Sequence, residues 1–221
     1  MDYDKMVLKP LIFGTEDLSE GIKIYEERFE DSMRLDSETL TRLLHKTDGN
    51  AQLYSYGFYH EEQIIGFCLL TLYKEENFVY VSYLALSSDI HDYKTARLFM
   101  DKIKEEGRAL SGTFLLFEVE QGDTLERLYR AWGAGMLYYH HIMPVFDMTE
   151  ERVLARVMVS PKIPSIKKEK YLKCLHAFLN FEYYDGISTT LSTEDATKYK
   201  EYINRIYEDI KKSLPDVINV I

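Results

Sequence analysis

The stretch Phe78-Val79-Tyr80-Val81-Ser82-Tyr83-Leu84-Ala85-Leu86-Ser87-Ser88-Asp89-Ile90-His91-Asp92-Tyr93-Lys94-Thr95-Ala96-Arg97-Leu98-Phe99-Met100 changes its periodicity midway. Residues 78–86 are aliphatic and aromatic with one serine, which reads as a largely buried strand. From 94 to 106 the apolar residues Ala96, Phe99, Met100 and Ile103 recur at helical spacing. The polar residues 87–93 join the two. Residues 113–120, Thr-Phe-Leu-Leu-Phe-Glu-Val-Glu, then read as another strand. Strand, helix and strand at this spacing form a crossover unit, so 78–86 and 113–120 should run parallel. The strand-to-helix junction also gathers unpaired N–H groups and the positive end of a helix dipole, a setting that suits a phosphate.

Upstream, 52–60 and 63–73 read as two strands separated by Glu61-Glu62, and 74–77 is a charged link to 78–86. Short polar links between apolar runs predict an antiparallel meander. Before it, 7–13 reads as a strand ended by Gly14. A helix capped by Asp17 or Ser19 runs to Glu30 on Leu18, Ile22, Tyr25 and Phe29. A second helix starts at Ser37 with Leu40, Leu43 and Leu44, and Asp48-Gly49-Asn50 breaks it.

Downstream, 94–106 is stopped by Gly107 or Gly112, and 123–132 reads as a helix stopped by Gly133. Residues 136–146 and 153–159 read as two strands with 149–152 between them. Pro161 and Pro164 end this pattern, and helices are expected over 168–181 and 193–214. The expectation is an α/β fold with a mixed, mostly antiparallel sheet, a central parallel strand pair and flanking helices. Residues 1–160 would form its main domain and 161–221 a helical extension packed on it.

Composition bounds the function. The chain has 221 residues, 46% of them hydrophobic and 29% charged, which suits a globular protein with its own core. A net charge of −10 speaks against a nucleic-acid surface, which needs a basic stripe, and biases any substrate toward cations. The two cysteines, Cys68 and Cys174, are too few and too far apart for a disulfide framework or a zinc site, so a reducing compartment is expected. Residues 1–9 lack an apolar signal core, and no apolar run reaches the roughly 18–20 residues needed to span a bilayer. A cytoplasmic protein with no membrane partner is the expectation.

The order of elements and several short motifs resemble the GNAT family of acyl-CoA-dependent N-acetyltransferases. Val81-Ser82-Tyr83-Leu84-Ala85-Leu86 is similar to the family's fourth strand, which precedes its pyrophosphate loop. Leu128-Tyr129-Arg130-Ala131-Trp132-Gly133 is similar to the Phe-Tyr-Glu-Lys-Leu-Gly-Phe signature on the helix after the fifth strand. Phe114-Leu115-Leu116-Phe117-Glu118-Val119-Glu120 and the later 138–144 resemble a longer bacterial subgroup with its own C-terminal extension. The resemblance covers roughly residues 5–160.

The resemblance implies acetyl-CoA as co-substrate and a primary amine, of a small molecule or a peptide, as acceptor. The backbone of Leu84, Ala85 and Leu86 would bind pantetheine, and His91, Asp92, Tyr93, Lys94, Thr95 and Ala96 would form the pyrophosphate loop. Against the family's Arg/Gln-x-x-Gly-x-Gly/Ala signature, His91 stands for Arg or Gln and Ala96 is allowed. Lys94 replaces a glycine that lets backbone approach the pyrophosphate. An asparagine common after the fifth strand is absent, with Gly122 near its place.

Tyr129 occupies the position of the tyrosine that protonates the leaving sulfur; a phenol of pKa near 10 can donate as a thiolate forms. Glu118 and Glu120 stand two apart on a strand and share a face, so either could accept the amine's proton or hold a cationic amine. His140 and His141, adjacent in a strand, point to opposite faces and cannot pair as metal ligands. No metal site, Gly-x-Ser-x-Gly elbow or Walker A run is expected. A competing reading is a GNAT-fold protein that binds CoA without turnover or acts as an interaction module; Lys94 and the missing asparagine favour it. The C-terminal helices could cover a sheet edge, form a homodimer surface or close over the substrate site.

Overall fold

The computed structural model describes residues 2–44, 49–111, 113–122, 124–146 and 153–221. The expected break at Asp48, the stop at Gly112 and the linker 149–152 lie outside these residues, as does His45. The chain divides into two compact units, Met1–Glu30 with Leu40–Thr113, and Asp31–Thr39 with Phe114–Ile221.

The first unit is built on the meander. β1 (Met6–Pro10), β2 (Ala51–His60), β3 (Gln63–Tyr73) and β4 (Phe78–Leu86) pair in sequence order, all antiparallel. The turns sit where the charged links were read. Glu61 and Asn77 take positive φ, 57° and 55°, at the β2–β3 and β3–β4 turns. α1 (Glu16–Arg28) begins before either Asp17 or Ser19 would place it, because Thr15 is the residue with extended backbone whose side chain accepts from the Leu18 N–H. α2 spans Ser37–Leu44. α3 (Tyr93–Ser111) runs straight through Gly107. A helical glycine costs about 1 kcal/mol relative to alanine but does not by itself end a helix.

One face of the meander packs on α1. Tyr25 meets Tyr83 edge-on at 4.7 Å and Phe67 at 5.8 Å, inside a cluster with Leu11, Leu18, Ile24, Leu69 and Ala85. Such ring pairs add about 1 kcal/mol each to the burial itself. The other face carries α3, with Phe58 stacked on Phe99 at 4.6 Å. Gly66 makes room for this contact, since a Cβ there would lie 3.0 Å from the Phe99 ring and 3.1 Å from the Ala85 carbonyl. Leu69 pairs with Tyr83 and Leu70 with Val81, so Ser82 is an extra residue that bulges β4.

The second unit is organised by one strand. β5 (Leu115–Glu120) is followed by α4 (Thr124–Ala131), β6 (Gly135–Met136), β7 (His141–Met143) and β8 (Val153–Ser160). β8 pairs antiparallel with β5 along one edge and with β6 and β7 along the other. The single strand expected over 136–146 is thus two short ones. The chain switches partners between them: the Leu137 N–H goes to Val157, the Tyr138 N–H to Asn219, and the Tyr139 N–H folds back on the Leu137 carbonyl.

The C-terminal segment holds β9 (Ser165–Lys167), α5 (Lys168–Phe178), a π-helical turn Leu179–Asp185, α6 (Gly186–Ser188), α7 (Thr193–Ser213) and β10 (Val217–Asn219). The α-helix expected to continue to 181 becomes π-helical at Leu179, and periodicity of apolar residues does not separate the two. β9 and β10 pair and clip the ends of the helical segment together, helped by Lys168, whose Nζ donates to the Leu214 carbonyl at 2.7 Å. Across both units the fold class is the expected one, α/β with a mostly antiparallel sheet, one parallel pair (β4 and β5) and flanking helices. Among the described residues no helix is long and apolar enough to cross a membrane.

Candidate functional site

The pieces singled out in the sequence lie in both units. In the first, β4 ends at half-buried Leu86, and Ser87–Asp92 leads into α3. Asp92 is the cap of that helix. Its Oδ2 accepts from the Thr95 N–H at 2.9 Å, the Thr95 hydroxyl at 2.7 Å and the Tyr3 hydroxyl at 2.9 Å. Its Oδ1 accepts from the Lys94 N–H at 3.3 Å, and its carbonyl takes the Ala96 N–H. The bonds from Thr95, then that from Tyr3, hold the Asp92 carboxyl down at about 2. Asp89 is also lowered, chiefly by the Ser87 hydroxyl 2.5 Å away, with a smaller pull from His91. The Lys94 ammonium lies 5.8 Å from the centre of the Tyr3 ring. Arg97 is 3.8 Å from Asp101. Arg97 is therefore matched by a carboxylate and Lys94 lies over an aromatic ring, while the Lys94, Thr95 and Ala96 N–H groups are directed at Asp92.

In the second unit, Tyr129 is buried on α4, edge-on to Phe117 of β5 at 4.9 Å and to Trp132 at 5.7 Å. Its carbonyl accepts the Trp132 and Ala134 N–H groups, and Gly133, with φ of 87°, lets the chain turn away. The ring position is thus fixed by β5 and by the helix end together.

The two glutamates of β5 have different surroundings. Glu120 is exposed at the strand end. Glu118 has a side chain only 3% exposed, against His141 at 0%. Glu118 pairs with Val157 and His141 with Ala155, so β8 lies between them and its small side chains let the two meet over one face of the sheet. His141 Nε2 contacts Glu118 Oε1, and the Tyr183 hydroxyl donates to Glu118 Oε2. On the other ring edge His141 Nδ1 faces the Tyr139 hydroxyl at 2.9 Å, which in turn meets the Tyr171 hydroxyl.

Tyr183 donates to Glu118, and the imidazole of His141 links that carboxylate through Nε2 to the Tyr139–Tyr171 hydroxyl pair through Nδ1. Burial, then the neighbouring phenol and the Glu118 charge, pushes the Tyr139 hydroxyl well above the ordinary phenol range. Burial does the same for Tyr171.

α5 supplies Tyr171 from its buried face of Tyr171, Cys174, Leu175 and Phe178, at the spacing of one helical stripe. The π-helical turn brings in Tyr183, stacked on Phe146 at 5.3 Å. Sequence reasoning identified Glu118 but not its partners. The alternation that separates exposed His140 from buried His141 is visible in the sequence, whereas contacts 32 and 65 residues apart are not. Among the described residues no group of three or more His, Cys, Asp or Glu side chains could hold a metal ion.

No family model matches the sequence, and no curated protein matches it. Solved structures do. A GNAT-family protein of Bacteroides thetaiotaomicron superposes with a TM-score of 0.65 at 14% identity, covering 80% of this chain and 98% of that one. The spermidine/spermine N-acetyltransferase SpeG of Vibrio cholerae gives 0.54 at 14% identity, over 78% and 98%. A GNAT-family acetyltransferase of Elizabethkingia anophelis with acetyl-CoA bound gives 0.50 at 11% identity, over 71% and 97%.

Proposed function

We propose that this chain, which has the GNAT acetyltransferase fold, is an N-acetyltransferase that moves an acetyl group from acetyl-CoA to a primary amine. The observation that carries the reading is the fold, shared over nearly the whole length of the Bacteroides thetaiotaomicron protein. Within it, the extra residue at Ser82 supports a pantetheine site at Leu84, Ala85 and Leu86, because a bulge turns backbone groups out of the ladder. The loop and helix start, His91, Asp92, Tyr93, Lys94, Thr95 and Ala96, would then face the nucleotide end.

In this reading the neutral amine attacks the thioester carbonyl, a C–N bond forms and the C–S bond breaks. Tyr129 gives its phenolic proton to the departing sulfur. The ammonium proton passes to a β5 carboxylate, and of the two Glu120 is the accessible one. Glu118, enclosed by His141 and Tyr183, acts behind it. The net charge of −10 favours a cationic amine, and the polyamine enzyme SpeG among the structural neighbours points the same way. Two free, buried cysteines suit a reducing, cytoplasmic setting.

The test is a panel of amines with acetyl-CoA, read by free-thiol release. Turnover with one amine class supports the reading, and no release with any of them overturns it. Tyr129→Phe should then lower kcat about 10²-fold with KM little changed; an unchanged rate removes Tyr129 from the mechanism. Glu120→Gln should raise KM for the amine. A second reading, a GNAT-fold interaction module without turnover, is favoured by the Asp92 carboxylate, which occupies N–H groups at the start of α3; absence of both CoA binding and thiol release would select it.

A further inference from the structure

We infer that this protein holds its acyl donor by the acyl-pantetheine arm alone, so that simple S-acyl pantetheines serve it as well as acyl-CoA. The inference rests on the acyl-transfer reading above and concerns which part of the donor is recognised.

A diphosphate bound at the start of a helix needs three things: N–H groups directed outward, room for backbone to approach, and a local excess of positive charge. At α3 the N–H groups of residues 94–96 are turned inward and the nearby charges balance. The Lys94 and Thr95 N–H groups and the Thr95 hydroxyl already donate to the Asp92 carboxylate, and the Ala96 N–H donates to the Asp92 carbonyl. Asp92 is not a loosely placed cap, because Tyr3, 89 residues away in sequence, donates a further bond to the same oxygen. An incoming diphosphate would have to displace a carboxylate held by two side-chain and two backbone donors and then share the site with it.

Charge does not repair this. Asp89 and Asp92 stand in the loop, Lys94 is drawn toward the Tyr3 ring and Arg97 toward Asp101. Lys94 also stands where a small residue would be needed for close approach. The strand side of the junction has no such obstruction. β4 carries its bulge at Ser82, and Leu84 and Leu86 alternate with buried Ala85 as half-buried residues beside it. The pantetheine arm, a chain of amides and methylenes, is the part of the donor that such a strand can recognise.

Calorimetric titration of the intact protein separates the outcomes. S-acetylpantetheine and acetyl-CoA should bind with Kd values within about threefold of each other, and raising salt should leave both unchanged, since no charged grip is made. Acetyl-CoA binding tenfold or more tighter, with salt-dependent affinity, would overturn the inference and leave the acyl-transfer reading standing. Binding of neither would overturn both. Asp92→Gly, checked for its fold by circular dichroism, frees the helix N–H groups and should tighten acetyl-CoA but not S-acetylpantetheine. Equal effects on both ligands would count against the inference.

Discussion

Glu118 and His141 meet across an intervening strand: the carboxylate comes from β5, the imidazole from β7, and Ala155 and Val157 of β8 lie between them. Both are enclosed, so each is costly without the other. His141→Ala leaves a buried carboxylate with only Tyr183 among the partners described above and should destabilise the fold by about 3–5 kcal/mol. The double variant Glu118→Leu, His141→Leu removes both polar groups and should lose markedly less than the sum of the single changes. Urea denaturation of the four proteins measures this; additive losses would show that the two residues do not act as a pair.

Alkaline pH should expose the buried phenols. Tyr139 and Tyr171 are raised above the ordinary phenol value mainly by burial. Stability from keeping them neutral is complete below about pH 10, the unfolded phenol value, and is lost as pH rises above it. Phenolate absorbance from these two residues should therefore appear together with unfolding. Tyr139→Phe should reduce the steepness of that loss. Phenolate appearing smoothly with the fold intact would contradict the burial.

Acid should act on Asp92. Its carboxyl is lowered to about 2 by Thr95 and Tyr3, so its contribution is complete above about pH 4 and is lost as pH falls toward 2. Tyr3→Phe removes one of its donors and should raise the midpoint of this step. A pH series of thermal melts on both proteins reads the shift, and an unchanged midpoint would show that Tyr3 does not hold the carboxylate.

Gly135 should not tolerate a side chain. A Cβ there would lie 2.1 Å from Val220 Cγ1 and 2.9 Å from Lys162 Cγ. Met136 and Ile221 exchange two backbone bonds beside it, so the tail cannot move aside freely. Gly135→Ala should cost about 1–3 kcal/mol and loosen residues 217–221 in hydrogen exchange. Wild-type stability would show that the tail yields at little cost.

The meander and the crossover were legible because their signals are local. Charged pairs mark the turns at Glu61-Glu62 and 74–77, and the stripe Ala96, Phe99, Met100 and Ile103 marks α3. The places of Tyr129 on α4 and of the two glutamates on β5 were legible from a motif and from alternation. The different surroundings of Glu118 and Glu120 were not, since they depend on residues from β7, α5 and the π-helical turn. The filling of the α3 start by Asp92 was also hidden. Asp-x-x-Thr reads as an ordinary cap, and only the long-range bond from Tyr3 shows how firmly it is held. The break of 136–146 into two strands follows from pairing with residues near 219, which alternation within the segment cannot reveal.

The π-helical turn has a consequence for how insertions and deletions would be felt. Such a turn accommodates an extra residue within an otherwise α-helical path. Removing one residue between Leu179 and Phe181 would let the segment relax to α geometry with Tyr183 kept near its place. Removing one from α5, which holds no such extra residue, would instead rotate everything downstream by about 100° around the axis, the step per residue of an α-helix. Tyr183 would then swing off Glu118 and Phe146 would lose its stacked ring. A single-codon deletion in α5 would thus change which side chain meets the carboxylate without altering the chemistry of any residue that remains.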